Sequence, residues 1–178
     1  MNSSYLKKHV LTFFTILSVL FLSGCGIFNS DNNDDFEDGT VEGARFHLSM
    51  DKTVVERGGS FLATFTVENT TNRTLEIETE CVELAGIGVY QGDELMDFRG
   101  AFPGCLTALG YFEIEPTETL TLEWDVDAFT LSSETGEAPF DTTYVEPGDY
   151  VLRAEANVSR INGTEVEVES REIEFRVN

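Results

Sequence analysis

The stretch Pro147-Gly148-Asp149-Tyr150-Val151-Leu152-Arg153-Ala154-Glu155-Ala156-Asn157-Val158 runs on to the pair Asn162-Gly163 and then through Val166, Val168, Ile173, Phe175 and Val177. Tyr150, Leu152, Ala154, Ala156 and Val158 occupy every second position, the period at which a strand returns side chains to one face. Asn-Gly between two such runs suits the two positive-φ positions of a tight hairpin. The segment therefore predicts two antiparallel strands. Between Val168 and Ile173 the parity of the alternation changes, which predicts a β-bulge near Glu169-Ser170-Arg171.

Outward from this hairpin the same period recurs. Phe46, Leu48 and Met50 form one run, and Phe61, Ala63, Phe65 and Val67 another, with Glu56-Arg57-Gly58-Gly59 between them. Asn69-Thr70-Thr71-Asn72 turns the chain into Leu75 and Ile77. Ile87 and Val89 lead to the turn Gln91-Gly92-Asp93 and a short return strand of Leu95, Met96 and Phe98. Leu120, Leu122, Trp124 and Val126 alternate next, with Trp124 on the inward parity expected of a core aromatic. No window sustains the i, i+3, i+4, i+7 pattern of a helix. The domain is predicted to be all-β. Roughly seven to nine strands over residues 44–178, with turn signals every 8–12 residues or so, predict an immunoglobulin-like antiparallel two-sheet sandwich, with a closed barrel as the alternative.

Composition narrows the function classes. The chain has 178 residues, 33 Asp+Glu against 11 Lys+Arg and a formal charge of −22. Such acidity repels phosphate backbones and excludes nucleic acid as the expected partner. A hydrophobic content of 41% excludes wholesale disorder.

Residues 1–24 differ from the rest. Lys7 and Lys8 precede the apolar run from Val10 to Leu22, followed by Ser23-Gly24-Cys25. A positive start, an apolar stretch of about a dozen residues and a small-residue exit fit a secretory signal peptide, whereas a spanning helix needs roughly 20 apolar residues. The tetrad Leu22-Ser23-Gly24-Cys25 resembles the lipobox of bacterial lipoproteins. That resemblance implies cleavage before Cys25, diacylglyceryl modification of its thiol, and a membrane partner reached through the lipid. An ordinary signal peptide that happens to contain a Cys, or an uncleaved anchor, are the alternatives. Cleavage would remove two bases and no acid, leaving 9 bases and 33 acids.

Residues 25–43 carry six acids, no base and no hydrophobic period, so they read as a disordered acidic tether, about 25 Å long as a flexible coil. Asp31, Asn33 and Asp35 alternate like the first ligands of a calcium loop, but Phe36 replaces the required Gly and the twelfth position lacks Glu. An acidic stretch after the lipidated Cys also resembles the surface-export signals of some Gram-negative lipoproteins, which implies the outer membrane or cell surface.

In the domain, Phe65-Thr66-Val67-Glu68-Asn69 running to Leu75-Glu76-Ile77, Tyr90-Gln91-Gly92-Asp93-Glu94-Leu95, Ile114 to Asp125, and Glu146-Pro147-Gly148-Asp149-Tyr150-Val151 occur in the order seen in bacterial immunoglobulin-like domains. The whole resembles the intracellular proteinase inhibitor (BsuPI-type) domain. The resemblance implies a sandwich and, as one functional expectation, inhibition of a protease. Export, Cys81, Cys105 and a longer loop before Pro147 depart from it.

Cys81 and Cys105 are the two thiols left in the exported domain once Cys25 is acylated. An even pair in an oxidising compartment predicts a disulfide, with two buried free thiols as the alternative. Two Cys and the one mature histidine, His47, are too few ligands for zinc. With no second histidine and no Gly-x-Ser-x-Gly elbow, nucleophilic catalysis has no constellation to work from. No catalytic residue, cofactor or metal is expected. Asp93, Asp97, Asp125 and Asp127 near strand ends form a nonspecific calcium pattern. The chain is expected to be a membrane-anchored cell-envelope lipoprotein whose sandwich binds a protein partner or plays a structural part, the alternative being an envelope proteinase inhibitor. Its candidate loops are residues 101–107 and 128–144.

Overall fold

The computed structural model describes residues 39–132 and 141–178. The leader, Cys25 and the tether up to Asp38 lie outside the described residues, as do residues 133–140 of the long connection.

The described residues form strands β1 (Gly39–Val41), β2 (Ala44–Met50), β3 (Val54–Val55), β4 (Ser60–Asn69), β5 (Leu75–Cys81), β6 (Ala85–Gln91), β7 (Glu94–Met96), β8 (Thr107–Ile114), β9 (Thr119–Asp127), β10 (Phe129–Ser132), β11 (Asp141–Tyr144), β12 (Gly148–Ala156), β13 (Val158–Ile161), β14 (Thr164–Glu165) and β15 (Arg171–Val177). The fold is an all-β sandwich and not a closed barrel.

One layer has the order β1-β2-β4-β9. Its antiparallel register sets Phe46 opposite Val67, Leu48 opposite Phe65 and Phe61 opposite Val126, so the alternating apolar residues of neighbouring strands fall on one inner face. The other layer is β3-β15-β12-β6-β7, continued by β14-β13-β5-β8. It is continuous because β5 leads into β6 and β12 into β13, with β12 paired to β6 and β13 to β5. At the join Asn157 donates its backbone N–H to the Leu84 carbonyl (2.8 Å), accepts from the Glu80 N–H (3.0 Å) and donates its side-chain amide to the Glu83 carbonyl (3.2 Å). These bonds satisfy backbone groups that the broken ladder would otherwise strand. After β2 the chain changes layer, and β3 runs parallel to β15.

The expected Asn162-Gly163 hairpin is present, with φ of 51° and 79°. The expected bulge at Glu169-Ser170-Arg171 is not. Residues 166–170 carry no strand pairing, and β15 begins at Arg171 opposite Ala154. The irregularity sits across the hairpin, between Val158 and Arg160. The parity change marks the return from the short β14 edge to the main ladder, because both arms bend at the join.

Three further expectations change. The composition extends the tether to residue 43, but Gly39–Val41 pair with β2 through the Glu42-Gly43 turn. The alternation places Phe98 in the return strand. That strand ends at Met96, and Phe98 dips into the core against Tyr150 (centroids 5.4 Å) and Phe175 (6.0 Å). Trp124 packs against the core but is only partly buried, because β9 is the last strand of its sheet and has a neighbour on one side alone. The layers meet where Phe61 lies 5.1 Å from Phe175.

Near the start of β12 the Tyr150 hydroxyl donates to the Glu146 carbonyl at 2.7 Å, the corner that immunoglobulin-like sandwiches use to fix the entry of this strand. Burial first, and then the Glu146 charge, raise the Tyr150 phenol above its ordinary pKa, so it stays a donor. Tyr150→Phe is expected to lower stability by about 1 kcal/mol, read by urea denaturation, since the buried ring stays and one hydrogen bond goes. An unchanged midpoint would show that the corner adds nothing.

Candidate functional site

Cys81 ends β5 and Cys105 lies just before β8. Their sulfurs are joined in a disulfide with Cα atoms 5.3 Å apart, inside the range a bridge spans without backbone movement. Around it the backbone is tightly held. The Val82 N–H donates to the Leu106 carbonyl at 3.3 Å, the Ile87 N–H to the Phe102 carbonyl at 3.1 Å, and the Thr79 hydroxyl to the Cys81 carbonyl. A side chain at Gly110 would strike the Thr79 hydroxyl and the Cys81 carbonyl, so only glycine lets β8 approach the bridge this closely.

This clamped segment presents apolar side chains to solvent. Val82, Phe102, Leu106 and Tyr111 are each about half exposed, and Leu109 is 88% exposed. On β8, Phe112 and Ile114 turn inward while Leu109 and Tyr111 turn out. The run Ala108-Leu109-Gly110-Tyr111-Phe112 thus has apolar residues on both faces. Period two passes over such a strand, so alternation alone does not find β8. An apolar run without alternation, following a Cys in a polar domain, is the signal that would have found it.

The surroundings are acidic. Glu76 lies opposite Glu113 and Glu78 opposite Tyr111 in the β5–β8 register. A groove of about 810 Å³ beside the bridge is lined by Glu78, Glu80, Glu165, Glu167, Leu109 and Arg160 among others. Arg160 is engaged by Glu165 at 3.1 Å and Glu78 at 3.7 Å. Partial desolvation, then Glu76 and Glu113, raise the Tyr111 phenol above its ordinary pKa, keeping it neutral.

The other sequence candidates are not brought together. His47 lies on β2 opposite Thr66. Asp127 pairs with Arg99 at 3.2 Å. Among the described residues no three His, Cys, Asp or Glu side chains are grouped to hold a metal ion, so Asp93, Asp97, Asp125 and Asp127 do not converge. Cys25 lies outside the described residues. The loop 101–107 is the clamped segment itself. The ends of the 128–144 connection are the β10–β11 hairpin, Phe129 opposite Tyr144, and among the described residues no helix is long and apolar enough to cross a membrane.

Replacing Cys81 and Cys105 together by Ala is expected to lower stability by about 3 kcal/mol through restored loop entropy, with the transition remaining cooperative because the Phe61–Phe98–Tyr150–Phe175 ring cluster is untouched. Chemical denaturation measures the loss, and peptide mapping without reductant should recover the two Cys in one cross-linked fragment. Separate fragments carrying free thiols would contradict the bridge.

No family model matches the chain, and no curated protein matches it. Among solved structures it is similar to a β-glucosidase of Erythrobacter marinus (13% identity, TM-score 0.42, over 76% of this chain and 16% of the other). It is also similar to the CARDB domain of a Pyrococcus furiosus protein in complex with di-metal ions (12%, TM-score 0.41, 82% and 99%). An alkylpurine DNA glycosylase of Pseudomonas fluorescens bound to abasic-site DNA follows (13%, TM-score 0.35, 76% and 30%). The chain thus spans about a sixth of the β-glucosidase. Superpositions this loose carry no argument about function.

Proposed function

We propose that the chain is a lipid-anchored lipoprotein of the bacterial cell envelope whose sandwich works by binding another protein and not by turning over a substrate. The anchor rests on Leu22-Ser23-Gly24-Cys25 behind a positive, apolar leader. The observation that carries the binding reading is the cluster of exposed apolar side chains, Val82, Phe102, Leu106 and Leu109, on a segment clamped by the Cys81–Cys105 bridge. Exposed apolar groups cost solubility when nothing covers them, and a rigid presenting loop lowers the entropy lost on binding. The alternative is an envelope proteinase inhibitor, favoured by the same rigidity in residues 101–107, since a loop offered to a protease must resist rearrangement.

Crosslinking in intact cells followed by affinity purification should yield a defined adduct that disappears when Phe102 and Leu106 are both changed to Ser. Inhibition of a protease by near-stoichiometric amounts of the protein, abolished by the same changes, would select the inhibitor reading. Turnover in a hydrolase screen that survives repurification would overturn both.

A further inference from the structure

We propose that the outer edge of β8 is a strand-addition site that takes an extended basic segment of a partner protein, pairing main chain to main chain along residues 109–113. The proposal rests on the binding-module reading and names the surface and the chemistry of what it takes.

Strand β8 ends its sheet, and among the described residues nothing pairs with its far side. On β5 the Glu80 N–H and the Glu76 carbonyl are bonded toward Asn157 and Asn162. By the alternation of an antiparallel ladder, Leu75, Ile77 and Thr79 therefore bond to β8 through Ile114, Phe112 and Gly110. The N–H and C=O groups of Tyr111 and Glu113 are left facing the open edge, next to the bulge at Ala108 and Leu109. Proteins usually protect such edges with short strands, charges, Pro or bulges. The edges β1, β3, β7 and β14 are only two or three residues long, and β10 and β11 four. The β9 edge turns Thr121, Glu123 and Asp125 outward, and its end is bridged to Arg99. Residues 108–112 of the eight-residue β8 contain neither charge nor Pro, and the bulge before Gly110 and the single charge of Glu113 leave the pairing groups between them uncovered among the described residues. Main-chain pairing of this kind supplies affinity, and outward side chains supply selectivity.

Charge selects the occupant. Glu76, Glu78, Glu80 and Glu113 surround Leu109 and Tyr111, and nearby Arg160 is already paired to two carboxylates. A second copy, at a formal −22, would bring its own carboxylates against these, and an anionic membrane would be repelled likewise. A strand alternating Lys or Arg with β-branched residues would place cations beside the glutamates and apolar groups on Leu109 and Tyr111.

The test uses the purified full chain and a fluorescent eight-residue peptide alternating Lys with Val. Binding is expected, weakening as salt is raised. The same peptide with Glu for Lys, or with its pairing amides N-methylated, should bind at least tenfold more weakly. Leu109→Lys should cost at least tenfold with an unchanged melting curve. Tyr111→Pro should do the same, since the lost N–H faces the open edge and not β5, and Leu109→Lys decides the matter if that variant does not fold. Equal affinity for the N-methylated peptide, or indifference to Leu109→Lys, would overturn the proposal. So would self-association of the chain abolished by Leu109→Lys, which would mark the edge as a contact between copies. In intact cells a photo-crosslinking residue at Leu109 should capture a protein that competes with the Lys-Val peptide. Capture only from Val54 or Leu131 would overturn the β8 site and leave the binding module standing. No capture from any position would remove the module reading itself.

Discussion

Cys25→Ser is expected to abolish lipid attachment outright, leaving a precursor of slower mobility that takes up no labelled fatty acid and is not released from its leader. On the proposed lipoprotein reading the effect is all-or-none, because one atom, the Cys25 sulfur, would be the acceptor and a hydroxyl does not replace a nucleophilic thiolate. Acyl chains contribute about 0.8 kcal/mol per buried CH₂, and stable anchoring takes two signals, so the wild-type chain should partition into detergent quantitatively. Metabolic labelling and Triton X-114 phase separation make the comparison. Equal labelling of wild type and variant would end the lipoprotein reading. The sandwich should be unaffected, because Cys25 lies outside residues 44–178 and the domain carries its own core.

Phe98→Ala is expected to be among the most damaging single changes in the domain, about 3–5 kcal/mol. Phe98 is almost fully buried and meets both Tyr150 and Phe175 edge-on, at 5.4 and 6.0 Å. Truncation removes its transfer energy and its aromatic contacts and leaves a cavity between strands that their ladders keep from closing fully. Against a total stability on the order of 5–15 kcal/mol, such a loss should unfold a large share of the molecules near 37 °C. Denaturant titration measures it, with Phe102→Ala, at a half-exposed ring in the same connection, as the comparison. A loss below about 1 kcal/mol for Phe98→Ala would mean that this connection does not seat in the core as described.

Phe98 also marks where local reading stops. Its position two residues after Met96 continued the parity of a return strand, yet the ladder ends at Met96 and the ring enters the core from an irregular segment. Local spacing cannot distinguish a strand that continues from a chain that leaves the sheet and dips inward. Trp124 has the mirror problem. Its parity pointed inward, and it does pack on the core, but β9 has a neighbour on one side alone and leaves Trp124 partly exposed, while Val126 farther along the same strand is fully buried. The segment 107–114 was illegible for a third reason: Leu109 and Tyr111 put apolar groups on the solvent face and erased the alternation by which the other long strands announce themselves.

What depends on near neighbours along the chain is legible from local pattern alone. The period of two in β2, β4, β5, β9 and β12 makes one face apolar, and Asn162-Gly163 turns the last hairpin, because side-chain direction and turn geometry are settled within a few residues. Which sheet each run joins, the division of β12 and β13 at Asn157, the parallel pairing of β3 with β15, and an edge of β8 that no described strand covers beside the Cys81–Cys105 bridge emerge only in the folded molecule. Those outcomes rest on contacts between residues far apart in the chain, where burial of one apolar face depends on which other face arrives to cover it.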